Sequence, residues 1–326
     1  MINILGIGCA HPETIIDNQF LSELGAASSA AWIEDHTGIK TRHSILPLEY
    51  IKETGNAKPA EAVKVATATP TDLGVKACEI ALEQAGVALE DVGLILASCP
   101  TPLETSPNEA QRIGKVLGVK IPAYDVSSSS GDFALHLSVL NGWKEERVPD
   151  YVLCVSTSTA TRKVNYRDGK ARIYLGDGAG AVLVSSRKSG RATVASAHFT
   201  SEPLQEDLFV FDLYQHAQMN LDVLQSWVAP QLNLMLETAL DSADLQGKPY
   251  AFVGSGIGNS LLIDICAKHA IEEKRCWSNI EKYGYTLGAS VISSIAEHWN
   301  SISAGQTIVA CVAGAGTSSG YVVLKS

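Results

Sequence analysis

The chain is short of charge, and of basic residues in particular. Only 18% of its 326 residues are charged, and 35 acidic residues against 25 basic ones leave a formal net charge of −10. That balance argues against a nucleic-acid partner and against an anionic membrane surface. No apolar run reaches the length of a membrane span. The opening residues Met1-Ile2-Asn3-Ile4-Leu5-Gly6 lack a basic n-region and lead straight into a strand pattern, so no signal peptide is expected. The seven cysteines (Cys9, Cys78, Cys99, Cys154, Cys266, Cys276 and Cys311) are odd in number, widely scattered and without a CxxC pair. That pattern supports neither a zinc site nor a disulfide framework. These absences predict a reduced, cytoplasmic protein with no metal site. Hydrophobic residues are abundant instead, at 46%, which implies a large buried interior or a buried interface in one large domain or two.

An internal repeat organises the chain. In the first half, Ala81-Leu82-Glu83-Gln84-Ala85-Gly86 closes a helix and leads to the strand Val92–Ser98; in the second, Ala239–Asp244 leads to Tyr250–Ser255. Each is followed by an Asn-bearing turn and a helix, at Pro107-Asn108-Glu109-Ala110 and Gly258-Asn259-Ser260-Leu261. A buried helix ending in Trp143 or Trp299 comes next, then an apolar strand, Tyr151–Val155 or Thr307–Val312. A Gly-rich turn into a last strand closes each half, from Gly176 and from Gly314. Alternating helices and unbroken apolar strands imply sheets covered on both faces. Two α/β halves are expected, residues 1–185 and 186–326, packed through shared buried helices. Segments 44–70 and 201–218 fit the repeat poorly and read as insertions over a pocket or interface.

The run Asp125-Val126-Ser127-Ser128-Ser129-Ser130-Gly131-Asp132-Phe133 carries the chemistry. Apolar Val119–Val126 reads as a strand before it, and Phe133–Leu140 as a helix that is apolar nearly all round. A tight turn between strand and buried helix presents one side chain, and the helix N-terminus offers free N–H groups to a developing anion. A polar N-cap is the simpler reading of the same serines.

Taken with Gly6-Ile7-Gly8, Trp32–Ile39, Thr71-Asp72-Leu73-Gly74, Gly176–Ala181 and Gly314-Ala315-Gly316, this run makes the chain resemble β-ketoacyl-acyl-carrier-protein synthase III, of the thiolase-fold condensing enzymes, over essentially its whole length. The resemblance implies a thiolase-like, five-layered αβαβα fold of two duplicated halves. It also implies a homodimer with the acyl chain near the interface, and a donor thioester on coenzyme A or an acyl carrier protein, with no permanently bound cofactor. Ser130 falls on the family's Cys nucleophile; a hydroxyl needs a base or electrostatic help where a thiol does not. The backbone N–H groups of Ser130 and Ala315 are the implied oxyanion hole. The family's His falls on Gly256, or on Ser255 with a one-residue shift, while Asn259 matches the end of that motif. The family's second donor, an Asn, falls on Tyr285. Those two groups stabilise the enolate of malonyl decarboxylation, and Gly has no donor, so decarboxylative condensation is not expected.

Four groups are candidates for the base: His198, where the family also has a histidine; His216 in the second insertion; His136, nearly two turns along the nucleophile helix; and Asp132 in its first turn, where a carboxylate also suits the helix dipole. Each histidine has a structural reading as a hydrogen-bonded core residue. Trp32 matches the family residue that stacks on the adenine of coenzyme A, and a half-buried helix Trp is the alternative. His36 replaces an Arg that pairs with the coenzyme phosphates, which weakens that contact at neutral pH. Arg162, Lys163, Arg167, Lys170 and Arg172 form the densest basic run; they read equally as a dock for an acidic carrier protein or phosphopantetheine and as a solvated loop.

Three functions follow. The first is an acyltransferase moving an acyl group from a carrier-protein or coenzyme A thioester through Ser130 to a hydroxyl, amine or thiol, in fatty-acid-like, polyketide or specialised-metabolite synthesis. The second is a catalytically silent subunit paired with an active synthase as a heterodimer. The third is a condensing enzyme with Ser as nucleophile. Acylation of Ser130 separates the second from the others, and carbon dioxide release separates the third from the first.

Overall fold

The computed structural model describes residues 1–25, 28–167, 169–203 and 208–326. Among the described residues, fourteen strands are formed. In the first half they are β1 (Asn3–Ala10), β2 (Thr14–Asp17), β3 (Thr41–Ser44), β4 (Leu94–Ser98), β5 (Ala123–Asp125), β6 (Val152–Thr159) and β7 (Asp177–Ser185). The second half adds β8 (Ala192–Ser201), β9 (Phe209–Val210), β10 (Gln218–Met219), β11 (Ala251–Ser255), β12 (Cys276–Trp277), β13 (Thr307–Gly314) and β14 (Ser318–Lys325). The helices are α1 (Asn18–Glu23), α2 (Ala30–Thr37), α3 (Leu48–Thr54), α4 (Pro70–Ala85), α5 (Glu109–Leu117), α6 (Asp132–Asn141), α7 (Leu221–Ser242), α8 (Asn259–Lys268), α9 (Ile280–Tyr283) and α10 (Ala289–His298).

Ten strands form one ladder in the order β12-β11-β13-β14-β8-β1-β7-β6-β4-β5. Read outward from its centre, the two arms are equivalent strand for strand. β4 lies parallel to β5 and β6, and β11 lies parallel to β12 and β13. β7 is antiparallel to β6 and β1, and β14 is antiparallel to β13 and β8. In the ladder, a short antiparallel pairing of β1 with β8, Asn3↔Thr193 and Ile4↔Ala192, joins the arms. The repeat seen in the sequence is therefore a repeat of topology.

Both faces of each arm are buried, as unbroken apolar strands require. One face contributes Leu94, Leu96, Val152, Cys154, Ile308, Ala310 and Val322 to a core that also holds Phe133 and Leu137 of α6 and Val291, Ile292 and Ile295 of α10. The alternate residues, among them Ile95, Leu153, Val309 and Val323, pack with α4, α5, α7 and α8. The order is helix, sheet, helix, sheet, helix. α4 begins with a Thr69–Asp72 capping box and Pro70, and ends on left-handed Gly86. It lies so close to β1 that a Cβ on Gly6 or Gly8 would meet the carbonyls of Ala81 and Ala77.

Three expectations change. The strand before the serine run is only Ala123–Asp125, because Val119 N–H still closes the end of α5 on Gly114 O and Pro122 has no N–H to pair. The insertion at 44–70 folds as α3 and a short turn, pinned where Ile45 N–H donates to Asp177; part of the second insertion, 204–207, lies outside the described residues. Cys266 and Cys276 form a disulfide, contrary to the all-thiol reading. Parallel pairing of β12 with β11 lays Cys276 beside α8, an approach that a ten-residue spacing does not announce. The cysteines therefore no longer argue for a reducing compartment. Among the described residues, no helix is long and apolar enough to cross a membrane.

Candidate active site

β5 is the edge strand, and its last residue, Asp125, accepts from Glu109 N–H and Ala110 N–H to cap α5. The chain then turns through Ser127–Ser130 into α6. Ser129 adopts φ +61°, a left-handed conformation that serine rarely takes, and Ser130 follows at the head of the buried helix. Ser130 is itself buried.

Two groups converge on its hydroxyl from distant parts of the chain. Ala315 N–H donates to Ser130 Oγ at 2.9 Å. The Tyr285 hydroxyl lies 2.5 Å from the same oxygen. Gly314 makes this possible, since a Cβ there would sit 2.5 Å from the phenol oxygen and 2.6 Å from Ser130 Oγ. Tyr285 is fully buried. Burial pushes its pKa up to about 12, with the Ser130 and Ser255 hydroxyls working against that rise and the charge of Asp132 adding to it. The phenol is therefore protonated at neutral pH. Beside Gly256 the neighbours are Leu232, Leu261 and Leu262, and they bring no donor.

Ser130, Ala315 and Tyr285 are thus brought together, and the expected bases are not. His198 is exposed on β8, cross-strand from Tyr321, with its ring 5.7 Å from the tyrosine ring. A register irregularity near Ala195 sets the alternation of this strand, so it is Phe199 that reaches the nucleophile turn, against Gly131. His216 is tied to Asn56 O at 2.7 Å. His136 is buried and engaged with Val126 O at 2.6 Å; burial lowers its pKa, with Asp132 opposing. Asp132 faces Ser128 N–H and Ser156 Oγ.

The basic run divides. Arg162 and Lys163 are buried, so they offer no docking surface. Arg162 donates to Thr159 Oγ1 and to the carbonyls of Thr101 and Pro102. Lys163 donates to Leu213 O at 2.5 Å, and burial, with Arg162 beside it, lowers its pKa to about 8. The pair holds two loops rather than a partner, because consecutive residues after β6 point into opposite sides of a covered turn. Arg167 and Lys170 remain exposed, and Arg172 donates to the carbonyls of Tyr166 and Arg167. On α2, Trp32 is 45% exposed and stacks on His36 at 4.5 Å. Ser260 Oγ donates to His36 O, and Asn259 opens α8 against Gly38 at the end of α2.

Phe199, Gly288 and Ser156 are not marked as site residues by the sequence. Ser156-Thr157-Ser158-Thr159, a run of hydroxyls in a fully buried strand, was the available signal, since buried hydroxyls need partners.

The chain matches the family model of 3-oxoacyl-[acyl-carrier-protein (ACP)] synthase III over residues 124–203, and that of the synthase III C-terminal region over residues 251–326. It is 25% identical over 342 residues to the β-ketoacyl-[acyl-carrier-protein] synthase III of Chlamydia trachomatis serovar D, covering 99% of this chain and 98% of that one. The crystal structure of 3-oxoacyl-[acyl-carrier-protein] synthase III from Aquifex aeolicus VF5 superposes with a TM-score of 0.87 at 22% identity, covering all of both chains. The priming β-ketosynthase of the R1128 polyketide biosynthetic pathway gives 0.77 at 24% identity, covering 99% of this chain and 96% of that one. The fold is the thiolase-like fold of these synthases, and the chain is similar to the synthase III family over its whole length.

Proposed function

We propose that the protein is a synthase III-like acyltransferase that takes an acyl group from a coenzyme A or carrier-protein thioester onto Ser130 and passes it to a hydroxyl, amine or thiol acceptor. The observation that carries this reading is the convergence on Ser130 Oγ of a backbone N–H and a protonated phenol at the head of a buried helix. Ser130 Oγ attacks the thioester carbon as its proton passes to the Tyr285 oxygen. The phenol proton passes in turn to the departing sulfur. The C–S bond breaks, a C–O ester bond forms, a thiol leaves, and Tyr285 ends as neutral as it began. A phenol with a pKa near 12 is a poor base alone, and this exchange does not require the phenolate. The N–H groups of Ser130 and Ala315 receive the developing oxyanion. Trp32 and His36 form the shelf for the coenzyme's adenine, and Asn259 braces that shelf from α8. With Gly256 and Tyr285 at the two donor positions, no enolate-stabilising pair is present, so the reaction stops short of decarboxylative condensation. Residues 1–185 and 186–326 are the duplicated halves, as the equivalent arms of the ladder support, and the working unit is a dimer.

The second reading, a silent subunit beside an active synthase, is favoured by one observation: the imidazoles of His136, His198 and His216 are all engaged or placed elsewhere. Intact mass after incubation with a panel of acyl-coenzyme A and acyl-carrier-protein donors, with Ser130→Ala alongside, decides between them. A mass increase equal to the acyl group and lost in Ser130→Ala supports the acyltransferase. No adduct with any donor on a folded protein supports the silent subunit, and carbon dioxide release from a malonyl thioester would point to a serine-dependent condensing enzyme.

A further inference from the structure

The carboxylate of Asp132 is completely buried two residues after Ser130, and it is built into four elements at once. Oδ1 accepts Ser128 N–H at 2.8 Å, inside the turn that presents the nucleophile. Oδ2 accepts the Ser156 hydroxyl from β6 at 2.7 Å. Burial raises the carboxyl's pKa, with His136, the Ser156 hydroxyl, Ser128 N–H and the Ser98 hydroxyl of β4 working against that rise; Ser98 Oγ lies 2.7 Å from Ser127 Oγ at the start of the same turn. Gly288, at the head of α10, has no room for a side chain, since a Cβ there would collide with Asp132 Oδ2, Ser129 O and Ser156 Oγ together.

A carboxylate that only complemented the helix dipole would sit at the surface of the first turn, where its effect is small. Burying a charge costs far more than that unless it is hydrogen-bonded, so these donors identify a different task. The turn they secure contains Ser129 in a left-handed conformation. Left unsupported, such a residue relaxes and takes the adjoining hydroxyl with it.

We infer that Asp132 is a positioning residue for Ser130: a hydrogen-bonded strut that holds the Ser127–Ser130 turn against β4 and β6, so that Ser130 stays in register with Ala315 and Tyr285. The inference rests on the acyltransferase reading. The groups that face the carboxylate are limited. His136 lies one turn along α6, and the Tyr285 phenol senses the charge from across the site. β4 and β6 present Ser98 and Ser156, and α10 presents Gly288. Asp132→Asn keeps the shape and an acceptor for Ser128 N–H, but loses the acceptor for the Ser156 hydroxyl.

Two measurements test this. In the first, acylation of Asp132→Asn is timed against wild type by intact mass. The expected result is a rate about 10²-fold lower, the scale of a misplaced reacting group, with half-saturation by the donor unchanged. An equal rate, or a weaker donor affinity at an unchanged rate, overturns the inference. In the second, Ser130→Cys is alkylated with iodoacetamide across pH, with and without Asp132→Asn. The expected result is a changed plateau rate and a shifted thiol midpoint, as the turn relaxes and moves the sulfur relative to Ala315 N–H and Tyr285. Identical midpoints and plateaus overturn it. If wild type takes no acyl group, the acyltransferase reading fails, and the alkylation result alone decides the role of Asp132. If Asp132→Asn does not fold, Ser156→Ala replaces it in both measurements; it removes one partner of the strut, with an expected loss of about tenfold in acylation, and wild-type behaviour there overturns the inference.

Discussion

Ser130 and Tyr285, 155 residues apart in the chain, place their hydroxyl oxygens 2.5 Å from each other. One arm of the duplicated ladder delivers the serine and the other delivers the phenol, so the site exists only where the halves meet. Burial keeps the phenol protonated at neutral pH, so two uncharged hydroxyls face each other there.

Tyr285→Phe is expected to fold and to lose about 1 kcal/mol or less of stability, because Ala315 N–H still satisfies Ser130 Oγ. Acylation of Ser130 by its donor is expected to slow by about 10²-fold. For the wild type, the tyrosine contributes no rise in rate between pH 7 and 9, because its pKa lies near 12. Rapid-quench mass spectrometry over that range checks both statements.

Arg162→Met is expected to damage stability rather than donor binding. It leaves the carbonyls of Thr101 and Pro102 without their buried donor, at a cost of about 2–4 kcal/mol. Lys163→Met frees Leu213 O and is expected to speed proteolysis within 208–219. Urea melts and timed trypsin digestion read the two effects. A selective loss of carrier-protein affinity in either variant, at unchanged stability, would restore the docking reading.

Of the seven cysteines, Cys266 and Cys276 are paired, while Cys9, Cys78, Cys99, Cys154 and Cys311 are free. Denaturing alkylation without reductant should therefore add five labels, and prior reduction should raise the count to seven. The double substitution Cys266→Ser with Cys276→Ser is expected to lower stability by about 2–3 kcal/mol, the loop-closure value for a short loop. Seven labels without reductant would show that the bond is not formed in solution.

Acid stability should depend on His11, whose ring stacks on Tyr283 at 3.6 Å and contacts Asp177 O and Ser293 Oγ. Burial lowers its pKa to about 4, so the native state holds the neutral ring. Its contribution is complete above pH 6.5 and is lost as pH falls through 4, a total of about 3 kcal/mol. The neighbouring Asp177 carboxyl acts oppositely: burial raises it to about 6, and its contribution is lost as pH rises through that value. The difference between wild type and His11→Asn isolates the histidine. The advantage of wild type in urea melts should shrink by about 2–3 kcal/mol between pH 6.5 and 4, and a constant difference would contradict the assignment.

The sequence by itself determined the architecture and the turn in which Ser130 sits. Apolar strands, helices closing on Gly86 and Trp143, and Gly-rich turns recur in order in both halves, and each is a local pattern that its own neighbours enforce. The serine run was legible as a small-residue turn before a buried helix, and the resemblance singled out Ser130 within it. Tyr285 and Ala315 were marked by the resemblance, but their distances to Ser130 were not legible: both come from the other half, and their approach depends on the missing Cβ of Gly314. His198 and Phe199 are adjacent in sequence, and a single irregularity in β8 decides which of them faces the site. Arg162 and Lys163 read as a charged patch because charge is counted along the chain, whereas burial is settled by which loops fold over it. The Cys266–Cys276 bond and the strut at Asp132 also rest on tertiary distances: pairing of β12 with β11 lays Cys276 beside α8, and β4, β6 and α10 close around the Asp132 carboxylate.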